Sequence, residues 1–293
     1  MPTRCIFIGN PGNGKSTLLS ILCNTPHFKG GYSVGAGLTT ELAELTIGDI
    51  TYMDIPGLYD IDPTKHANAS AEISKALKRG GEYKVIFVVG DQNGRVLTED
   101  VATMNMVLAA APEITMNNFG IIVNMACKKT MTLPQIGNDS QLAFTTSLFC
   151  KRPDVSTAHI LFLPVIADME GASSEAMNLA AARGLSEIQN FMNFVTKIPS
   201  VTLTIEKVSD INHTEVDAYI AEVSKSAKEL DNNEAMKETF KKQIAANNNA
   251  LIGTVANAER VAPVGEGLAA GGGDSVRLGA AGSAGLSHSC GTC

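Results

Sequence analysis

The chain has 293 residues, 44% of them hydrophobic and 18% charged, with a formal net charge of −7. That is enough apolar material for one large domain, or for a domain with an extension. The acidic balance, the lack of Trp and the 5% aromatic content argue against a nucleic-acid surface or a base-stacking platform as the main function.

No apolar run approaches the ~18 residues that cross a bilayer. The start, MPTRCIFIGN, is too short for a signal peptide and has no Gly at position 2 for myristoylation. The expected location is the cytoplasm. Cys5, Cys23, Cys127 and Cys150 stand singly in apolar or helical context, as buried thiols do.

In chain order, RCIFIGN reads as a buried strand and KSTLLSILCN as a helix. TTELAELTIGDITYMDIPG predicts two antiparallel strands joined at Gly48-Asp49, a pair that supplies hairpin turn geometry. SAEISKALKRGG has helical spacing and a glycine stop. YKVIFVVGD is a strand, TEDVATMNMVLAAAP a helix and FGIIVNM a strand, and LPQIGNDSQLAFTTSLFCK is partly helical. HILFLPVIA is a strand, and SEAMNLAAARGLSEIQNFMNFV a single helix. Continuous apolar strands alternating with helices imply a mostly parallel sheet covered on both faces.

After Pro199 the character changes. Val216, Ile220, Val223, Ala227 and Leu230 form one apolar stripe on a charge-rich helix. It suits either packing on its own domain or a coiled-coil, partner-binding arm. Residues 261–293 are rich in Gly, Ala and Ser, the composition of a flexible tail. The expected organisation is 1–198 as the main domain, 199–260 as a helical extension and 261–293 as a disordered tail.

Gly9-Asn10-Pro11-Gly12-Asn13-Gly14-Lys15-Ser16 matches G-x-x-x-x-G-K-[ST] between a strand and a helix. In such a loop, glycines let backbone N–H groups converge on phosphate oxygens, and the helix start adds its positive end. Lys15 reaches the β- and γ-phosphates, and the Ser16 hydroxyl suits Mg²⁺. Asn10, Gly12, Asn13, Gly14, Lys15, Ser16 and Thr17 are therefore the expected phosphate-binding residues.

About forty residues on, Asp54-Ile55-Pro56-Gly57 ends a strand. Asp54 suits Mg²⁺ binding through water, and the Gly57 N–H suits a contact to the γ-phosphate. A switch threonine is expected between the two motifs, at Thr39 in preference to Thr40, as a Mg²⁺ ligand and catalytic partner of Lys15. The glycines from Gly30 to Gly37 suit a loop that orders only when γ-phosphate and Mg²⁺ are present. The fold class implied is α/β, a three-layer P-loop nucleotide-binding domain. A metabolic kinase finds no support in an Arg-rich lid.

GNPGNGKSTLLSIL, MDIPGLYD and NGRVLTED occur in the order seen in septin-like GTPases. The chain resembles in particular the immunity-associated nucleotide-binding, AIG-type family over roughly residues 3 to 195. The family's box between the third and fourth nucleotide motifs is matched by Gly94, Arg95, Val96, Leu97, Thr98, Glu99 and Asp100. Thr98-Glu99-Asp100 equally suits a plain helix start with acidic first-turn residues. The resemblance implies GTP/GDP and Mg²⁺ as ligands, a homodimer formed through the nucleotide face, and a protein effector.

The base-reading element departs from the family pattern. Asn124 is retained, but Met125 stands at the Lys position and Cys127 at the Asp position. A thiol does not accept the paired guanine N–H groups as a carboxylate does. GTP is expected from the resemblance, with ATP or relaxed base choice as the alternative.

Leu58 occupies the place where Ras-type enzymes carry a water-orienting Gln. The implied activity is slow GTP hydrolysis, raised by a polar group from a second subunit, with Arg95 as one candidate for that group. The rival is a non-hydrolysing, nucleotide-dependent scaffold. His159 and His213 are isolated and read as structural. Cys290-Gly-Thr-Cys293 is a weak prenylation box without a polybasic run, and membrane association would require its lipidation.

Overall fold

The computed structural model describes residues 2–31, 37–60, 64–92, 96–115, 117–128, 130–131, 159–166, 173, 177–236, 238–239, 242 and 246. The partly helical stretch expected near residues 133–151, Gly94 and Arg95 of the box, Cys150 and the 261–293 tail lie outside them. Residues Met1–Thr254 belong to one compact unit.

The first strand, β1 (Thr3–Ile8), leads through the Gly9–Ser16 loop into α1 (Lys15–Cys23). A hairpin follows, β2 (Ala43–Ile47) and β3 (Ile50–Asp54), with Gly48 in the turn at φ 59°. Then come α2 (Thr64–Leu77), β4 (Gly81–Gly90), α3 (Thr98–Ala110), β5 (Phe119–Ala126) and β6 (Ile160–Pro164). The sheet order is β2-β3-β1-β4-β5-β6, with parallel pairing everywhere except at the β2–β3 hairpin along that path.

Burial on both faces explains the unbroken apolar strands. Along β4, Tyr83, Val85, Phe87 and Val89 enter one core with Ile6, Ile8, Met53 and side chains of α2 and α3. Ile86 and Val88 enter the other with Cys5, Phe7, Leu18, Leu19 and Phe191. Side chains alternate across a strand, so a central strand must be apolar at every position to feed both layers.

Two expectations need correction. The single helix expected over residues 174–195 is broken: α4 (Leu179–Gly184) and α5 (Ser186–Lys197) meet at Leu185, whose φ of −71° and ψ of 140° are extended. The apolar side chains of both helices reach the same core, so their spacing runs across the break. Cys127, expected to be buried, is half-buried, whereas Cys5 and Cys23 are buried.

The chain beyond Pro199 returns to the sheet. A short strand, β7 (Val201–Leu203), pairs antiparallel with the start of β4. Helix α6 (Val216–Asp231) packs against α3. Val216 and Val223 of the stripe are buried in the core shared with α2 and α3, and Ile220 packs against it. That is the intradomain alternative of the two readings of the stripe. No described helix is long and apolar enough to cross a membrane.

Candidate nucleotide site

The C-terminal ends of β1, β3, β4 and β5 converge on one open cleft edge, the usual ligand position of a parallel sheet. A cleft of about 110 Å³ is lined by Gly12, Gly14, Lys15, Ser16, Thr17, Thr39 and Gly57, among others. Every one of these was expected from sequence.

The loop backbone is held by close approaches. Gly14 has φ 84°, and a Cβ there would lie 2.5 Å from the Asn124 side-chain nitrogen. Both facts demand glycine. The next residue begins α1, so the positive end of that helix opens onto the cleft.

Lys15 Nζ donates to the carbonyls of Gly9 at 2.9 Å and Asn10 at 3.1 Å. Burial pushes its ammonium pKa below the ordinary lysine range, an effect opposed by the charges of Asp54 and Asp100. A buried cation whose hydrogen bonds go to neutral carbonyl oxygens is only partly compensated by those carboxylates, and an incoming phosphate would restore the balance.

Ser16, Thr39 and Asp54 meet beside it. Ser16 Oγ donates to Asp54 Oδ2 at 2.6 Å, Thr39 Oγ1 donates to the same oxygen at 3.2 Å, and the two hydroxyls lie 3.1 Å apart. Among the described residues, Asp54 Oδ1 is buried without a hydrogen-bond partner. Burial raises the Asp54 pKa above the usual carboxylate range, against the opposing influence of Lys15, Ser16 and Thr39. Two hydroxyls and an under-satisfied carboxylate are hard oxygen donors, and they fit a magnesium ion shared with phosphate oxygens. Thr40 does not line that cleft: it lines an adjoining smaller cavity with Thr39, Pro56, Gly57 and Asn68, and its carbonyl accepts from Asn68 Nδ2 at 2.6 Å.

The segment after Asp54 is wedged against the loop. A Cβ on Gly57 would lie 2.2 Å from Pro11 Cδ, so only glycine fits the approach. Asp60 Oδ2 accepts from the Gly37 N–H at 2.9 Å, which links this segment to the one that carries Thr39. Leu58 is wholly buried in the α2/α3 core and turns away from the cleft.

Three expected ligands are used differently by the fold. The Asn10 side chain donates to Asp100 at 2.9 Å, and the Asn13 side chain donates to Asp100 at 2.8 Å and to the Val88 carbonyl at 3.0 Å. Both side chains point inward, which leaves only their backbone for a phosphate. Asn124 Nδ2 donates to the Asn13 carbonyl at 2.9 Å and so braces the phosphate loop. Nearby, the Cys127 N–H donates to Asp91 Oδ2 at 2.7 Å, and Met125 is exposed with φ 55°.

Asp100 is the residue that sequence reasoning undervalued. It does not cap α3: Leu97 holds the cap position, and the Asp100 carboxylate is buried. The signal available was an acidic residue in a first helical turn, which normally marks a solvated helix start.

Residues 4–124 match the family model described as "50S ribosome-binding GTPase". Fold and loop together define a P-loop nucleotide-binding domain, and over those residues the chain is similar to that GTPase family. A comparison with curated proteins finds no match.

Among solved structures, the chain is similar to Era in complex with MgGDPNP and a segment of 16S ribosomal RNA (18% identity, TM-score 0.37, 66% of this chain and 57% of that one). It is also similar to Toc33 from Arabidopsis thaliana in complex with GDP and Mg²⁺ (16%, TM-score 0.43, 70% and 89%). A third is NFeoB from S. thermophilus bound to GDP·AlF4⁻ and K⁺ (14%, TM-score 0.36, 88% and 96%). The chain thus spans little more than half of the Era chain.

Proposed function

We propose that this protein binds GTP with Mg²⁺, hydrolyses it slowly and acts as a nucleotide-dependent switch. The observation that carries this reading is the convergence of Ser16, Thr39 and Asp54 next to Lys15, with one Asp54 oxygen left unsatisfied. Ser16 and Thr39 would hold the metal directly, and Asp54 through water. Bound there, Mg²⁺ supplies charge neutralisation across the β- and γ-phosphates.

Lys15 exchanges its two loop carbonyls for phosphate oxygens. Gly57, held against Pro11, is the N–H donor on the γ-phosphate side. The Gly37–Asp60 bond joins the two segments that would respond to the γ-phosphate, so loss of that phosphate loosens both.

Leu58 supports a low basal rate, because its buried side chain leaves no polar group at the water-orienting position. The AIG-type resemblance supports a homodimer through the nucleotide face that completes the site, and a protein effector on the switch surface. A second reading, relaxed choice between GTP and ATP, is favoured by Cys127, whose thiol lies 3.4 Å from the Thr130 hydroxyl and replaces the guanine-reading carboxylate.

The test is calorimetric titration with GTP, GDP and ATP in Mg²⁺, with Lys15→Ala as control, followed by phosphate release across the micromolar protein range. Guanine binding lost in the control supports the reading, and equal affinity for ATP supports relaxed specificity. A turnover number independent of protein concentration would count against activation by dimerisation.

A further inference from the structure

Beneath the phosphate loop, on the side away from the cleft, one carboxylate collects three N–H donors. Asp100 Oδ1 accepts from Asn10 Nδ2 at 2.9 Å and Asn13 Nδ2 at 2.8 Å, and Asp100 Oδ2 accepts from the Gly90 N–H at 3.0 Å. Asp100 is 1% exposed.

A negative charge under a loop that receives phosphates opposes ligand binding electrostatically, so attraction does not explain its position. Its acceptor-only chemistry does. An ionised carboxylate can take all three donors, whereas an amide at the same place would turn its own N–H groups toward at least one of them.

Asn10 extends the network upward. Its Oδ1 accepts from Thr103 Oγ1 at 2.8 Å and from the Tyr59 N–H at 3.2 Å. Asp100 therefore joins α3, two side chains of the phosphate loop and the segment after Gly57. With both Asn side chains drawn inward, the loop between them has its backbone to offer to the cleft.

We propose that Asp100 is a positioning residue of the phosphate site, holding the loop in its binding geometry through Asn10 and Asn13. This rests on the nucleotide-binding reading of the cleft. Asp100 touches no ligand. It acts by fixing where the loop N–H groups point, and its loss should be felt at the β-phosphate more than at the nucleoside.

The experiment compares wild type and Asp100→Asn for affinity toward GDP and GMP, well below the unfolding temperature, with ATP-series nucleotides run in parallel. The expected result is a fall of about tenfold or more in GDP affinity with GMP affinity changed less than about threefold, so that the preference for the diphosphate collapses. A merely structural role would lower the melting temperature and leave the ratio of the two affinities unchanged, which overturns the proposal.

Asn13→Ala keeps the carboxylate and removes one donor. It should reproduce part of the ratio change, and it carries the test if Asp100→Asn does not fold. An unchanged ratio in Asn13→Ala then overturns the proposal. Wild-type protein that binds neither nucleotide series overturns the reading of the cleft and this inference with it. Binding by wild type with unaltered ratios in the variants overturns the inference alone.

Discussion

Ser16 Oγ donates to Asp54 Oδ2 over 2.6 Å, while Oδ1 of the same carboxylate is buried with no hydrogen-bond partner among the described residues. The pair belongs to the proposed magnesium site and is also an electrostatic liability. Burial raises the Asp54 pKa, so on acidification the folded state takes up a proton before the unfolded chain does. The cost of the buried charge is present above the folded-state pKa and is relieved as pH falls through it. Asp100, also raised by burial, acts with the same sign.

Asp54→Asn should therefore stabilise the nucleotide-free protein at neutral pH by about 1 kcal/mol, or about 2–4 °C in melting temperature. It should also weaken the gain in stability on acidification, and reduce the Mg²⁺-dependent part of nucleotide affinity by about tenfold or more. A pH series of thermal melts without nucleotide, and titrations with and without Mg²⁺, check these outcomes. Undiminished Mg²⁺ dependence would remove Asp54 from the metal site.

Gly57→Ala places a methyl group 2.2 Å from Pro11 Cδ and 2.3 Å from Pro11 N. Neither atom is the end of a flexible side chain, so the segment after Asp54 must back away from the loop. The expected cost is about 1–3 kcal/mol of stability, read by urea unfolding. The preference for GTP over GDP should flatten, because the Gly57 N–H moves off its proposed γ-phosphate position, while GDP affinity changes little. A preserved GTP preference would mean that Gly57 does not sense the γ-phosphate.

The strands of the sheet interior were legible because a strand buried on both faces must be apolar at every position, as in VIFVV, Val85 to Val89. The phosphate loop was legible because its glycines have steric reasons that translate directly into spacing. Three residues, Val201–Leu203, are too few to announce β7, whose existence depends on an open edge at the start of β4. The Leu185 break escaped because apolar spacing reports which side chains are inside and says nothing of a helix interruption that keeps them there. Asn10, Asn13 and Asp100 form a site underpinning assembled from residues 90 positions apart. Spacing within one motif carries no trace of it.

Asn124 tests whether the retained part of the base motif reads a base. Its Nδ2 is spent on the Asn13 carbonyl, and the residue is buried. Asn124→Ala should lower GTP and ATP affinity together, by about 5- to 100-fold for a lost buried hydrogen bond, with the GTP:ATP ratio unchanged. Competition titrations with both nucleotides decide it. A selective loss of GTP affinity would return Asn124 to base recognition.

Leu58→Gln is the substitution that a comparison with Ras-type enzymes invites. It would be expected to install a water-orienting amide next to Gly57. The fold makes the opposite outcome the expected one. Leu58 is wholly buried against the α2/α3 core, so the new amide would enter an apolar environment without partners. Burying an unsatisfied amide costs about 1–3 kcal/mol by mutational measures, and the lost leucine packing adds to that. The melting temperature should fall by several degrees, and the phosphate-release rate of the folded fraction should stay within about twofold of wild type. Thermal melts and single-turnover phosphate release measure the two. An increase in turnover of tenfold or more would mean that this segment rotates outward when GTP is bound, placing position 58 in the cleft and making the slow rate a property of the leucine itself.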